Sequence, residues 1–310
     1  MTDAVGPSWV ALPQAGSWFT VLGFLLDRFP HVAEAEWRER MQRGEVLSVQ
    51  AEHLQTLNPL SPYAAGLRVR YLRHVAQEAR IPFEAQLLFE DAHIVVADKP
   101  HFLPVTPSGH YVQETLLARL RQALQCDTLA PMHRLDRDTA GLVLLSKQVA
   151  TRGAYHALFS QRQAQKIYHA VAPWHSGLVL TPLRSSRLET AAHFMQMQES
   201  PGEPNAHTRM RVLEHSAHWA RYELQPITGK RHQLRVHMAA LGLPIRFDGI
   251  YPVLTPAPLP GSAPDYSRPL QLLAKELCFT DPLSGQERSF ISRQQLLPLP
   301  EAALARVLAP

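Results

Sequence analysis

His133-Arg134-Leu135-Asp136-Arg137-Asp138-Thr139-Ala140-Gly141-Leu142 sets two carboxylates two residues apart among two arginines and a histidine. The stretch runs directly into Gly141 to Ser146, a short apolar run suited to a buried strand. A loop at a strand entrance is held by the scaffold behind it, so carboxylates placed there are rigidly presented. Three readings of the cluster compete. One is a set of ion pairs that merely stabilises the loop. A second is an acid/base pair of glycosidase type, which residues i and i+2 can form around a sugar only if the loop bends sharply. The third is a metal site built from His133, Asp136 and Asp138, in which the neighbouring Arg134 and Arg137 would repel the cation.

Working outward from this loop, Leu87 to Phe89 and Ile94 to Ala97 read as two short strands, and Asp98-Lys99-Pro100 ends the second. Gln113 to Gln125 predicts an amphipathic helix with Leu116, Leu117, Leu120 and Leu124 on one face. Residues 149–164 predict another, with Tyr155, Leu158 and Phe159 inward. In the strand Lys166 to Val171, alternation puts Lys166, Tyr168 and Ala170 on one face. Strands follow at 206–213 and 218–225. Then Pro226-Ile227-Thr228-Gly229-Lys230-Arg231-His232-Gln233-Leu234-Arg235-Val236-His237 is a glycine-containing turn entering a basic helix, about Arg231 to Leu241, closed by Gly242 and stopped by Pro244. Leu234, Met238 and Leu241 form its apolar stripe, while Arg231 and Arg235, four apart, share a different face. Such a turn suits phosphate contact, and a solvated helix face is the alternative. Pro252 to Pro269 reads as a proline-rich surface loop, and Leu270 to Phe279 as a further strand. Short strands mixed with helices imply an α+β domain around a mixed sheet.

Toward the N-terminus, residues 1–16 read as an extended arm. Val21, Leu22, Leu25, Leu26 and Phe29 then recur at helical intervals up to Pro30, and a second helix covers about 34–43, with Gly44 at its cap. A short strand spans Val46 to Val49, Asn58 to Pro62 is a linker, and Leu67 to Val75 is a strand exposing Arg68, Arg70 and Arg73. Helix, turn, helix, glycine and strand in this order resemble a degenerate S4-type RNA-binding module; a structural cap on the larger domain is the other reading. The expected organisation is an arm at 1–16, a small domain at 17–78, the main domain at 79–298 and a tail at 299–310.

Composition narrows the class. Of 310 residues, 45% are hydrophobic and 19% charged, which fits a globular chain and not a disordered one. The net charge of +4 suits a polyanionic partner without identifying one. Cys126 and Cys278 lack CxxC spacing, so neither a disulfide framework nor a zinc knuckle is expected. With no apolar run long enough to span a bilayer and no signal-peptide pattern at Met1-Thr2-Asp3, a cytoplasmic protein without membrane contact is expected, most simply a monomer.

Four segments, in order, resemble the RluA-like pseudouridine synthase family across about residues 80 to 298. Asp98-Lys99-Pro100 with Leu103-Pro104-Val105 is similar to its opening strand and loop. His133-Arg134-Leu135-Asp136 with Thr139 and Gly141-Leu142 is similar to its catalytic motif, and Lys166-Ile167-Tyr168 to its stacking-tyrosine motif. Thr228 to His237 is the fourth match, with Gly242, Pro244-Ile245, Asp248 and Tyr251 beyond it. Departures are Ala140 where serine is frequent, Phe247 where glycine is usual, Leu243 where histidine often occurs, and Pro252 with its proline-rich loop in place of a glycine turn.

The resemblance implies a mixed, mainly antiparallel catalytic sheet with flanking helices, and isomerisation of uridine to pseudouridine in RNA with no metal, redox or nucleotide cofactor. It assigns the chemistry to Asp136, the guanidinium partner to Arg235 and the ring that packs on the target uracil to Tyr168. Arg134 would fill the space left by an extruded nucleotide, and Leu234 would line the pocket. His133 and Thr139 flank the catalytic residue as further substrate contacts, and Lys99, Lys230 and Arg231 would meet phosphates. Ribosomal RNA is the first expected partner and transfer RNA the second.

Overall fold

The computed structural model describes residues 8–300 apart from His31, residues 51–52, 73–77, 109–110, Phe194 and 257–261. The chain divides into two units, residues 1–78 with 109–113 and residues 79–108 with 114–310.

In the first unit the elements are β1 (Ser8–Ala11), α1 (Val21–Arg28), α2 (Glu34–Gln42), β2 (Val46–Gln50), β3 (His53–Thr56) and β4 (Arg68–Tyr71). Thr20 caps α1 by accepting the Gly23 N–H at 3.1 Å. The helices bury Val21, Phe24, Leu25, Trp37 and Met41 with Val46, Val69 and Tyr71 from an antiparallel sheet of order β1-β4-β2-β3. Two of its strands differ from expectation. Ser8–Ala11, expected within a free arm, pairs with β4, and His53–Thr56 pairs with β2 although it exposes every residue and so carries no periodic signal. Arg68 is exposed and Arg70 half-buried, whereas Arg73 lies outside the described residues.

The second unit contains β5 (Gln86–Glu90), β6 (Ile94–Lys99), α3 (Leu116–Leu124), β7 (Ala130–Pro131), β8 (Ala140–Ser146), α4 (Val149–Ser160), β9 (Gln165–Pro173), β10 (Leu183–Thr190), β11 (Met197–Ser200), β12 (Ala206–His215), β13 (Trp219–Pro226), α5 (Gln233–Ala240), β14 (Leu272–Thr280) and β15 (Glu287–Ile291). The main sheet runs β11-β10-β12-β13-β9-β14-β8-β6-β5, with β15 added to β14 and β7 to β8. All pairings are antiparallel except β8 with β14, so the expected α+β, mainly antiparallel architecture is what the chain adopts. Among the described residues no helix is long and apolar enough to cross a membrane.

One close approach fixes the sheet centre. At Gly141 φ is +113, and a Cβ there would lie 2.2 Å from the Ala274 carbonyl oxygen and 2.7 Å from its nitrogen. Only a residue without a side chain lets β8 meet β14 at Gly141↔Ala274, and this contact docks the loop before β8 against the strands beside it. Substituting Gly141 by alanine is expected to cost about 2–3 kcal/mol through strain and overpacking, read by equilibrium denaturant unfolding.

The helix α5 is buried over nearly its whole surface: Gln233, Leu234, Arg235, Val236, His237 and Met238 are all inside. A helix in that setting has no solvated face, so its polar side chains must find partners within the protein.

Candidate active site

Asp136 lies in the loop before β8, its backbone carbonyl accepting the Thr139 N–H at 3.1 Å to close a turn. Its Oδ2 accepts from Arg235 Nη1 at 3.1 Å, so residues 99 apart in sequence meet through α5. Arg235 is 2% exposed and would be untenable alone. Its other edge meets Asp248 in a bidentate pair, Nε to Oδ2 at 2.8 Å and Nη2 to Oδ1 at 2.6 Å. Asp248 Oδ1 also accepts the backbone N–H groups of Ile250 and Tyr251, at 2.8 and 3.0 Å. Burial opposes the charge on Arg235, but the hydrogen bonds and charge of Asp248, and then of Asp136, outweigh it and raise the guanidinium pKa. The arginine is therefore a fixed cation, stacked 5.5 Å from the Tyr251 ring centroid.

The second oxygen of Asp136 is differently placed. Oδ1 faces His232 Nε2 at 3.7 Å, beyond hydrogen-bond length, and the carboxylate stays 30% exposed. Burial lowers the His232 pKa, and its Nδ1 is 2.9 Å from the Tyr251 hydroxyl, which also accepts the Met197 N–H at 2.7 Å. Tyr168, on β9, is half-buried and packs against the apolar cluster that contains Leu234, Ala170 and Ala172. Burial first, and the charge of Asp136 second, raise its hydroxyl pKa above the usual tyrosine value, which keeps the ring neutral. A carboxylate with one oxygen anchored and the other only loosely engaged, close enough for its charge to act on an aromatic hydroxyl, can present an oxygen to a ligand near a ring suited to a planar base. Among the described residues no His, Cys, Asp and Glu side chains are grouped to hold a metal ion.

A family model described as RNA pseudouridylate synthase matches residues 93–240, the stretch that carries Asp136, Tyr168 and Arg235. The dual-specificity RNA pseudouridine synthase RluA of Vibrio cholerae is 35% identical over 208 residues, covering 64% of this chain and 78% of its own. An RNA pseudouridine synthase of Synechocystis is 30% identical over 240 residues, covering 74% and 79%. This chain belongs to the RluA-like RNA pseudouridine synthases. Its fold is also that of human RNA Pseudouridylate Synthase Domain Containing 1, with TM-score 0.53 at 22% identity over 70% of this chain and 86% of that one.

Within this RNA isomerase the remaining sequence-predicted residues separate into three groups. Arg134 and Lys230 are exposed, and Arg231 is exposed while donating to the Met195 carbonyl at 3.0 Å. Arg231 precedes α5, whose first residue is Gln233, and His232 between them is left-handed at φ 52. Arg231 and Arg235 consequently do not share the helix face expected from their spacing, although the charges of both act on His232.

Lys99 is the clearest correction. It is fully buried, with Nζ donating to the carbonyls of Pro100 at 2.9 Å and Arg137 at 3.0 Å, so it holds the loop of the synthase from behind and meets no phosphate. Burial brings its pKa down to about 7, against the pull of Asp138 and Asp136. Thr139 is 2% exposed and serves the Asp136 turn through its backbone, which removes it as a substrate contact.

His133 turns inward as well. Its Nε2 accepts the Leu144 N–H at 3.1 Å and its ring stacks on Phe159 with centroids 4.4 Å apart. Burial, and then the charge of Lys166, push its pKa from 6.5 down to about 3. A group depressed in the folded state contributes stability that is complete above pH 6.5 and is lost as pH falls toward 3. Unfolding free energy measured across that range is expected to fall with acidification, and His133→Gln is expected to flatten part of the slope.

Asp248, His232 and Tyr251 join the candidate site through their contacts with Arg235, Asp136 and one another, and the sequence reading quoted them without giving them roles. A further polar chain secures α5: Gln233 Oε1 accepts from Thr228 Oγ1 at 2.7 Å, Gln233 Nε2 donates to Thr208 Oγ1 at 2.9 Å, and His237 bridges Thr208 and Ser186 at 2.9 and 3.0 Å. Polar residues along a buried helix require partners elsewhere, but the burial of this helix is a property of the fold that its residue types do not announce.

Proposed function

We propose that this synthase converts specific uridines of structured RNA to pseudouridine, with Asp136 as the group that carries the chemistry. The observation that supports this most is the division of labour on one carboxylate, Oδ2 bound to Arg235 and Oδ1 facing only His232 at 3.7 Å, with the charge of that carboxylate acting on the Tyr168 hydroxyl. In the reaction the N1–C1′ bond breaks, the uracil turns, C5 bonds to C1′, the C5 proton leaves to solvent and N1 takes one up. Mass is unchanged and no oxidant or water is consumed. A carboxylate at Asp136 serves either attack on C1′ or removal of the 2′ proton, and the fixed guanidinium of Arg235 aims it.

Neither C1′ nor C5 is reachable inside a stacked helix, so the nucleotide leaves its stack. Tyr168 stacks on the freed uracil and permits its rotation, Leu234 lines the pocket, and the exposed Arg134 fills the vacated space. Lys230 and Arg231 meet phosphates at the rim. The mild positive charge favours this partner, and residues 17–78, with exposed Arg68, add a second contact of S4 type. Relatives named for the ribosomal large subunit and for a transfer RNA position bring both RNA classes within reach, with ribosomal RNA first. Free thiols at Cys126 and Cys278 suit a cytoplasmic setting.

Release of tritium from RNA labelled at uridine C5 tests the reaction, and mapping pseudouridines in total RNA from cells with and without the gene tests the target. Tritium release together with loss of defined ribosomal sites is expected. A map that does not change removes the assignment of target, and absence of release from any cellular RNA removes the isomerase.

A further inference from the structure

Among the described residues two phenylalanines lie in the left-handed region, Phe102 at φ 68 and Phe247 at φ 63. Bulky residues are genuine outliers there and persist only where their surroundings hold them. One short segment touches both. Tyr266 packs edge-on against the Phe102 ring at 5.1 Å and against Phe83 at 5.2 Å, while Phe83 stacks on Phe102 at 5.9 Å. Two residues later the Arg268 guanidinium lies 5.1 Å over the Phe247 ring, and Arg246 lies 4.5 Å from the same ring.

Each phenylalanine adjoins groups that fix one half of the catalytic pair. Phe102 follows His101, whose Nδ1 is bonded to the Asp138 carbonyl at 2.7 Å, and lies near Lys99, bonded to the Arg137 carbonyl at 3.0 Å. Those two carbonyls belong to the residues immediately after Asp136. Phe247 immediately precedes Asp248, which grips Arg235. The segment that carries Tyr266 and Arg268 belongs to the proline-rich stretch that this sequence has in place of a glycine turn, and Phe247 stands where glycine is usual.

We infer that Tyr266 and Arg268 form a strap that holds the Asp136 loop and the Asp248 loop in register, making both of them positioning residues for the reaction. The strap acts on the distance between Asp136 and Arg235 through the two phenylalanines. This rests on the isomerase reading of the site. Arg268 is itself exposed, so direct contact with RNA is the outcome the test must separate from positioning.

Tritium release is measured as kcat and KM for the full chain, its Arg268→Ala and Arg268→Lys variants, and Phe247→Gly. Loosening a positioning contact is expected to lower kcat by about tenfold or more in Arg268→Ala while KM for RNA stays near the parent value. Arg268→Lys, which keeps a cation over the ring, is expected to recover most of that rate. Phe247→Gly relieves the left-handed strain, so its melting temperature should hold or rise while kcat falls; a merely structural role would lower the two together. An Arg268→Ala protein with parental kcat overturns the inference, and so does one whose KM alone rises, which would make Arg268 an RNA contact. A parent chain that releases no tritium overturns the isomerase reading and takes this inference with it.

Discussion

Asp136→Asn is expected to fold and to bind RNA like the parent chain but to lose roughly a thousandfold or more of its single-turnover tritium release. The amide has the shape of the carboxylate and can still accept from Arg235 Nη1, so the 3.1 Å contact has a successor. The site is also 30% exposed and Arg235 keeps its bidentate partner Asp248, so nothing buried is left without compensation. What vanishes is the negative charge, which both attack on C1′ and removal of the 2′ proton require. Asp138 supplies an internal control two residues away. Its Oδ1 accepts from Arg137 Nε at 2.8 Å, and Asp138→Asn is expected to retain most of the rate. The two substitutions decide between a reacting carboxylate and a loop of ion pairs, the alternatives that residues 133–142 leave open when read alone.

Asp248→Ala is expected to be the most destabilising single change near the site. Arg235 and Asp248 are 2% and 0% exposed, and removing one member of a fully buried pair strands the other charge at a cost of about 3–5 kcal/mol. The same change frees the guanidinium to swing toward Asp136 and leaves the Ile250 and Tyr251 N–H groups without their acceptor, so activity should fall with stability. Asp248→Asn keeps an oxygen for those donors and is expected to recover part of the stability but little of the rate. Urea unfolding and tritium release on the same preparations check both halves.

The catalytic sheet was readable where burial imposes a pattern. Ile94–Lys99 and Ala140–Ser146 are buried along their whole lengths and carry apolar runs, whereas Gln165–Pro173 is a strand whose burial does not alternate as expected, Tyr168 and His169 both being half-buried and Ala170, Val171 and Ala172 all buried. Leu183–Thr190, Met197–Ser200 and Glu287–Ile291 were not readable: they are polar strands whose places are set by neighbours distant in sequence, such as Arg187↔Ser200 and Leu277↔Phe290. Local chemistry cannot reveal such pairings.

At the site, a limit of the same kind operates on charge. The motif around Asp136 and the basic turn before α5 were both visible, but their residue types do not say which cations go inside. Arg235 and Lys99 are buried and bound, Lys230 and Arg134 are exposed, and all four look alike as letters in a basic segment. Spacing also failed at Arg231, because the helix begins only after the left-handed His232. His133 was drawn toward the substrate by its place in the motif, whereas the backbone N–H of Leu144, eleven residues on, claims its ring nitrogen.

The most direct test of the account uses RNA whose target uridine carries tritium at C5 and carbon-14 in the ring, incubated with the parent chain and with Asp136→Asn. An isomerase steadied by Arg235 sends the tritium to water while every carbon-14 count stays in the RNA, whereas the variant leaves both labels in place. Carbon-14 appearing as free uracil, or tritium leaving at the same rate from both proteins, would contradict it.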